Sequence, residues 1–391
     1  MIKKISVVVF VIVISACSKS TDHLYFGQTP PGDSAILFAP SFISLPDRWE
    51  PCITFSKDLH TACFYIEHWP KRDTNYILIT SYQDGVWSVP QKATFAHKRY
   101  TGEPFFSPID NDVLYLYSNH SDNQVGELDL SFVSRKDFEW NEPRSLGAPP
   151  NMHKGQFHPC VVEDGSLYYA TDKEGDICRS QFKDGKYMKP VRLPYPINGA
   201  NTDRTWGDPF VSPDESYLIF KSTRKGGLGQ NDIYISYKKV DGGWTNPKNL
   251  GPKINTSYDE SAGDITPDGK YMTFCSNKDL YWISSSFIDR FRSTNFTPYL
   301  NDSIDSITCK KGDDFKYKFK DNVFIDDDGN ETLSYTLTME GSTVLPEWLH
   351  FSAQNNSIQG KTDLAGSYHL SLKAQDSAGD SAVCKFRLIV E

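Results

Sequence analysis

The chain lacks the common catalytic signatures. It has no Gly-x-Ser-x-Gly elbow, no His-Glu-x-x-His pair and no phosphate-cradling glycine loop, which argues against serine-hydrolase, zinc-peptidase and nucleotide chemistry. Gly226-Gly227-Leu228-Gly229 lies between two strand-like runs and reads as a hairpin loop. Positive charge is in deficit, with 41 Lys and Arg against 50 Asp and Glu and a net charge of −9. That balance argues against a nucleic-acid partner. The apolar run Ile5–Ile14 is too short to span a membrane as a stable helix, and no other run is long enough. Eight cysteines are present; with Cys17 set aside the number is odd, so the rest cannot all pair.

The N-terminus supplies what is there first. Lys3 and Lys4 precede the β-branched run Ile5–Ile14, the pattern of an export signal. The run ends in Ile14-Ser15-Ala16-Cys17, which resembles a bacterial lipobox. The resemblance implies a signal peptide over residues 1–16, cleavage before Cys17 and lipidation of its thiol. Each buried CH₂ of such a lipid contributes ~0.8 kcal/mol to anchoring. Residues 17–34 then form a tether, and Ser18 resembles the sorting signal for the outer membrane, with the periplasmic and the surface face both open.

The body of the chain repeats. An aromatic-x-x-Pro tetrapeptide recurs at Trp87–Pro90, Trp140–Pro143, Tyr187–Pro190 and Trp244–Pro247. In step with it, an x-Pro pair opens a short apolar run at Pro51, Pro104, Pro159 and Pro209, with Gly263 in the matching place of a fifth copy. Offsets of 53, 55, 50 and 54 residues with strand-like content predict a β-propeller over residues 35–290. Aromatic content of 14% fits such an all-β chain. The fifth copy lacks its outer strand, and residues 35–44 carry a spare one. The reading is therefore five blades, the last closed by both ends of the domain, with six blades as the alternative.

Ser212–Arg224, then Asn231-Asp232-Ile233-Tyr234, then Trp244-Thr245-Asn246-Pro247 and Leu250-Gly251 resemble the PD40, or WD40-like, repeats of TolB-type propellers. The resemblance implies an envelope binding or interaction scaffold and carries no catalytic residues with it.

After a linker at 291–299 the texture changes. Residues 300–391 show strand-length alternation with a turn about every ten residues, the pattern of a β-sandwich. Phe324-Ile325-Asp326-Asp327-Asp328-Gly329, Leu345-Pro346-Glu347-Trp348-Leu349, Ile358-Gln359-Gly360 and Ala374–Gly379 occur in the order seen in dystroglycan-type cadherin-like domains, also grouped as Putative Ig domains. That resemblance implies an adhesive or spacer module. Asp326, Asp327, Asp328 and Asp376 are its candidate Ca²⁺ ligands, since Ca²⁺ takes clustered oxygens. Cys309 and Cys384, in the first and last strand runs, are a candidate disulfide, as are Cys52 and Cys63 across the turn at Lys57–His60.

In a propeller the loops entering each innermost strand meet at one mouth of the channel. Here they carry Trp49, Arg99, Tyr100, His158, Arg204, Trp206, Tyr258 and Glu260. Aromatic, charged and amide groups of this kind suit a glycan or peptide. The expectation is a non-enzymatic lipoprotein at the cell envelope that binds a protein or glycan partner. Its alternative is a carbohydrate-active hydrolase or lyase using channel carboxylates, with Glu103, Asp208 and Glu260 able to face one another. Because those positions open successive repeats, a turn role encoded by the repeat is the simpler reading for them.

Overall fold

The sequence period of about 50 residues is one antiparallel meander. The computed structural model describes residues 24–391, except 47, 68–74, 97–99, 120–127, 138, 153–154, 172–174, 200–204, 225, 240–241, 294, 296, 327–328 and 343. Among the described residues, the part before the helix Phe287–Ser293 forms five antiparallel sheets of four or five strands and one two-stranded ribbon. Their innermost strands are Ile53–Phe55, Thr101–Phe106, Gln156–Val161, Thr205–Val211 and Glu260–Ile265. The next strand outward is buried along its length in the first and third sheets, because a neighbouring sheet covers each face.

Those coverings run round a circle. Phe38 and Trp282 of the fifth sheet pack with Ile53 and Phe64 of the first. Cys63 and Ile77 of the first meet Leu114 and Val133 of the second. Leu130 of the second meets Val161 and Tyr169 of the third. One large core then joins Tyr168, Phe220 and Phe274 of the third, fourth and fifth. Ile36 and Leu37 pair antiparallel with Trp282 and Tyr281, so a strand from the start of the domain is the outer strand of the last sheet. This is an all-β, propeller-like arrangement.

The aromatic-x-x-Pro motif has a local cause. The residue after each aromatic donates its N–H back to the third strand, as Ser88 to Ser81, Asn141 to Ser134, Met188 to Gln181 and Thr245 to Tyr237. In three sheets a hydroxyl of that strand donates to the same residue's carbonyl, from Thr80, Ser180 and Ser236, each at 2.6 Å. Proline then ends the pairing, because it has no N–H to give.

A second recurring device is an asparagine in the loop entering an innermost strand. Asn151, Asn198 and Asn255 each accept from the N–H of a third-strand residue and donate to its carbonyl: Leu130, Ile177 and Ile233. Asn198 also donates to Leu193 O at 2.7 Å.

Residues 299–391 form a sandwich. One sheet orders Ile307–Cys309, Ser381–Val390, Gly366–Gln375 and Ser334–Met339, the first pair parallel. The other orders Phe315–Lys318, Ser357–Gly360 and Leu349–Ser352. Phe319, Phe324, Leu372, Phe386 and Leu388 fill the core between them. The domains touch where Asn246 Nδ2 donates to the Asp326 carbonyl and to Asn330 Oδ1.

Both proposed disulfides are corrected here. Cys309 lies opposite Val390, six residues along the strand from Cys384. At ~3.3 Å per residue that is about 20 Å, against a Cα separation of ~6 Å in a disulfide. Cys309, Cys384, Cys52 and Cys63 are all unbonded. Cys63 stands opposite Thr54, and Cys52 accepts from the N–H of Tyr65.

Asn198 is buried and closes three backbone hydrogen bonds. Asn198→Ala leaves those groups without partners at roughly 1–3 kcal/mol for each one that water does not reach. We expect it to destabilise the protein by about 2–4 kcal/mol, read as a lower denaturant midpoint, whereas an exposed change such as Lys189→Ala has little effect.

Candidate functional site

The x-Pro steps at Pro104, Pro159 and Pro209, and the matching Ala262-Gly263 step, are β-bulges. In the innermost strands of the second to fifth sheets the register slips by one residue, between Gly102 and Phe105, Phe157 and Cys160, Gly207 and Phe210, and Ser261 and Asp264. The residue before the proline, or before Gly263, adopts a left-handed φ: Glu103 at 51°, His158 at 48°, Asp208 at 49° and Ala262 at 50°. None is glycine, and each such conformation costs of order 1–3 kcal/mol. A bulge turns its extra side chain aside from the sheet.

Three of the four re-aimed side chains meet. His158 Nε2 lies 2.9 Å from Glu103 Oε1 and 3.1 Å from Asp208 Oδ1. The other Glu103 oxygen accepts from the His158 backbone N–H at 2.8 Å. Lys221, opposite Gly207 in the next strand, places Nζ 2.7 Å from Asp208 Oδ2. Both carboxylates reach one imidazole nitrogen, so their nearest oxygens stand within about 6 Å, the scale of paired carboxylates in glycoside-cleaving sites.

Burial sets the protonation states. It opposes a charged His158, but Asp208 and Glu103 outweigh it and push the imidazole up to about 9. Burial likewise works against the Lys221 charge, and Asp208 overcomes it. Asp264 behaves the other way. Burial raises its carboxyl to about 7; His158 opposes the rise, and Asp208 and Glu103 add to it. Its carboxylate has no hydrogen bond or ion pair with another described residue. The site thus holds two carboxylates paired with cations and one carboxyl that keeps its proton near neutrality.

A wall of tyrosines borders Glu103. Asn75 donates to Tyr65, the Tyr117 hydroxyl donates to that of Tyr65 at 2.9 Å, and Tyr100 stacks on Tyr117. Gly102 makes this approach possible: a Cβ there would lie 2.2 Å from the Tyr117 hydroxyl.

Among the residues expected at the mouth, the structure puts His158 at the centre of the cluster. Trp49 is half-buried with Nε1 3.4 Å from Cys275 Sγ. Tyr258 is 53% exposed at the rim. Glu260 does not face Glu103 or Asp208: it is buried and accepts from Thr256 and Ser276. Arg99 and Arg204, and the side chain of Trp206, lie outside the described residues, as do Cys17, Asp327 and Asp328. Asp326 accepts from Thr332 Oγ1, and Asp376 accepts from Asn295 and from the Asp380 N–H. Among the described residues no three His, Cys, Asp or Glu side chains are grouped to hold a metal. The turn role expected for Glu103 and Asp208 is corrected, since both sit on bulges within strands.

Sequence reasoning missed Asp264 and Lys221, although the repeat marks both. Asp264 occupies the slot of Cys52, Phe105, Cys160 and Phe210. Lys221 occupies the slot of Tyr117, Ala170 and Cys275 by register.

Residues 297–391 match the family described as Putative Ig domain. No curated protein matches the chain. Among solved structures it is similar to an alpha-L-arabinofuranosidase from Lactobacillus brevis, at 14% identity and TM-score 0.42, over 61% of this chain and 85% of that one. It is similar to the xyloglucan-locus GH43B of Bacteroides ovatus, at 13% identity and TM-score 0.38, over 64% and 53%. It is also similar to a candidate alpha-galactosidase of Bacteroides fragilis, at 19% identity and TM-score 0.19, over 24% and 18%. The chain therefore spans less than a fifth of that last protein. The neighbours just named go against the expectation of a non-enzymatic chain. At such TM-scores the likeness assigns no activity, which must come from the residues.

The cluster makes stability depend on pH. His158 has a higher pKa folded than unfolded, so its contribution is full below about 6.5 and is lost as pH rises through about 9. We expect the melting temperature to fall over that interval, and His158→Gln to melt lower at pH 6 with a flatter profile.

Proposed function

We propose that the chain is a carbohydrate-active hydrolase, or a lyase, that acts at the central channel of a five-bladed PD40-type propeller. The observation that supports this best is the division among its carboxyl groups. Cleavage of a glycosidic bond needs one carboxyl that carries a proton and another that is ionised. Asp264, raised to about 7, is the acid that protonates the leaving oxygen. Asp208 and Glu103, ion-paired with Lys221 and His158, supply the base and oppose the positive charge that grows on the anomeric carbon. His158 and Lys221 hold these carboxylates in place. Tyr100, the partly exposed ring of the tyrosine group, offers a face on which a sugar stacks, with Tyr65 and Tyr117 buried as its support. The sandwich would serve as a spacer, and lipidation at Cys17 would hold the whole at the outer membrane, near polymeric glycans.

The test is release of reducing ends from a panel of plant, bacterial and host glycans. We expect turnover of at least one glycan, falling as pH rises through about 7 with loss of the Asp264 proton. Asp264→Asn should lower the rate about 10²–10⁴-fold, the usual worth of a general acid. No turnover across the panel, or an Asp264→Asn variant as active as the parent, would reject the assignment.

A further inference from the structure

We propose that the half of the channel on the far side of the cluster, at the turns following the innermost strands, is a second ligand site that takes one small uncharged phenol. The site is a cavity of about 200 Å³ to which all five sheets contribute. Its wall joins the rings of Phe55, Phe105, Phe106, Phe210 and Tyr217 to Thr54, Ser107, Thr266 and Thr273, whose hydroxyls are already hydrogen-bonded within the fold. Phe105 and Phe210 stand 6.4 Å apart with rings tilted by 58°, and Phe210 and Tyr217 stand 6.3 Å apart. Large rings ordinarily pack against one another to crystal-like density. Here Phe105 and Tyr217 remain partly exposed at the cavity, while Phe55, Phe106 and Phe210 are buried.

One carboxyl looks into that space. Asp264 lines the cavity, and its carboxylate has no hydrogen-bonding partner among the described residues. Lys57 and Glu163 flank the opening and are exposed. The chemistry of the occupant follows from these groups. An apolar cavity of ~150 Å³ accommodates benzene, so this one has room for a single ring with a substituent. A ring matches the aromatic wall, and a hydroxyl on it meets Asp264. A sugar would leave its hydroxyls unpaired against phenylalanine, which is costly. A carboxylate would be desolvated beside another acid. The site uses none of the cation-paired groups of the cluster, but it shares Asp264 with the proposed hydrolysis and in that residue rests on the same reading.

The full chain is titrated with phenol, and with glucose and benzoate for comparison, by calorimetry at pH 6. We expect saturable binding of one phenol, about tenfold or more tighter than either comparator. Ile265→Trp, which puts an indole into the cavity, should weaken phenol about tenfold or more, whereas Tyr258→Ala at the opposite rim should leave it unchanged. Thermal melts report whether each variant folds. Should Ile265→Trp fail to fold, Phe105→Leu keeps an apolar side chain but removes one ring of the wall, and should weaken phenol several-fold. Phenol binding that does not saturate, or that is equally tight in the folded cavity variants, overturns the proposal. Since the readout is binding, that failure is separate from any failure to cleave glycans.

Discussion

The structure turns on one extra residue in an innermost strand. A regular strand would send alternate side chains into the cores between sheets. The bulge breaks that alternation and, in three of the five repeats, turns an ionisable side chain out of the packing pattern: Glu103, His158 and Asp208. It also leaves a backbone position without a cross-strand partner. Proline suits the next position because it has no N–H to leave unpaired. The left-handed φ at Glu103, His158 and Asp208 is unfavourable for each residue alone. It persists because the cores on both faces of these sheets hold the strands in register. The hydrophobic packing therefore sustains the strain, and the strain presents the ionisable groups to one another.

Once presented, those groups sort themselves by charge. Two carboxylates and two cations neutralise one another through His158 and Lys221. In a low-dielectric channel a further negative charge would have no counterpart, and Asp264 responds by keeping its proton. The same circumstance gives the channel both an acid and a base within one small volume. A protonated carboxyl in an aromatic surround is also a good hydrogen-bonding anchor for an uncharged molecule. Asp264 thus stands at the junction between the ion-paired half of the channel and its apolar half.

Much of this was legible in the sequence, and the exceptions have physical reasons. The all-β texture and the Ig-like C-terminal region were visible because turn residues, alternation and motif order are local properties. The x-Pro steps were visible too, but their meaning was not: a proline can open a strand or relieve a bulge, and only the register separates the two. That is why Glu103 and Asp208 read as turn residues. Glu260 misled because a carboxylate at a strand start looks the same whether it faces a channel or caps Thr256 and Ser276. Asp264 and Lys221 were hidden in strand interiors. Aligning the repeat copies column by column would have exposed both as lone charges among apolar or small residues. The disulfide between Cys309 and Cys384 failed because strand order, which sequence does not give, sets them far apart on one strand direction.

The central claim is that one channel carboxyl is protonated near neutrality while its neighbours are ion-paired. Carbon-13 NMR of Asp-carboxyl-labelled protein, with Asp264→Asn to assign the resonance, measures it directly. The account predicts that the Asp264 carboxyl titrates near pH 7. Titration of Asp264 in the ordinary aspartate range, near 4, would contradict it.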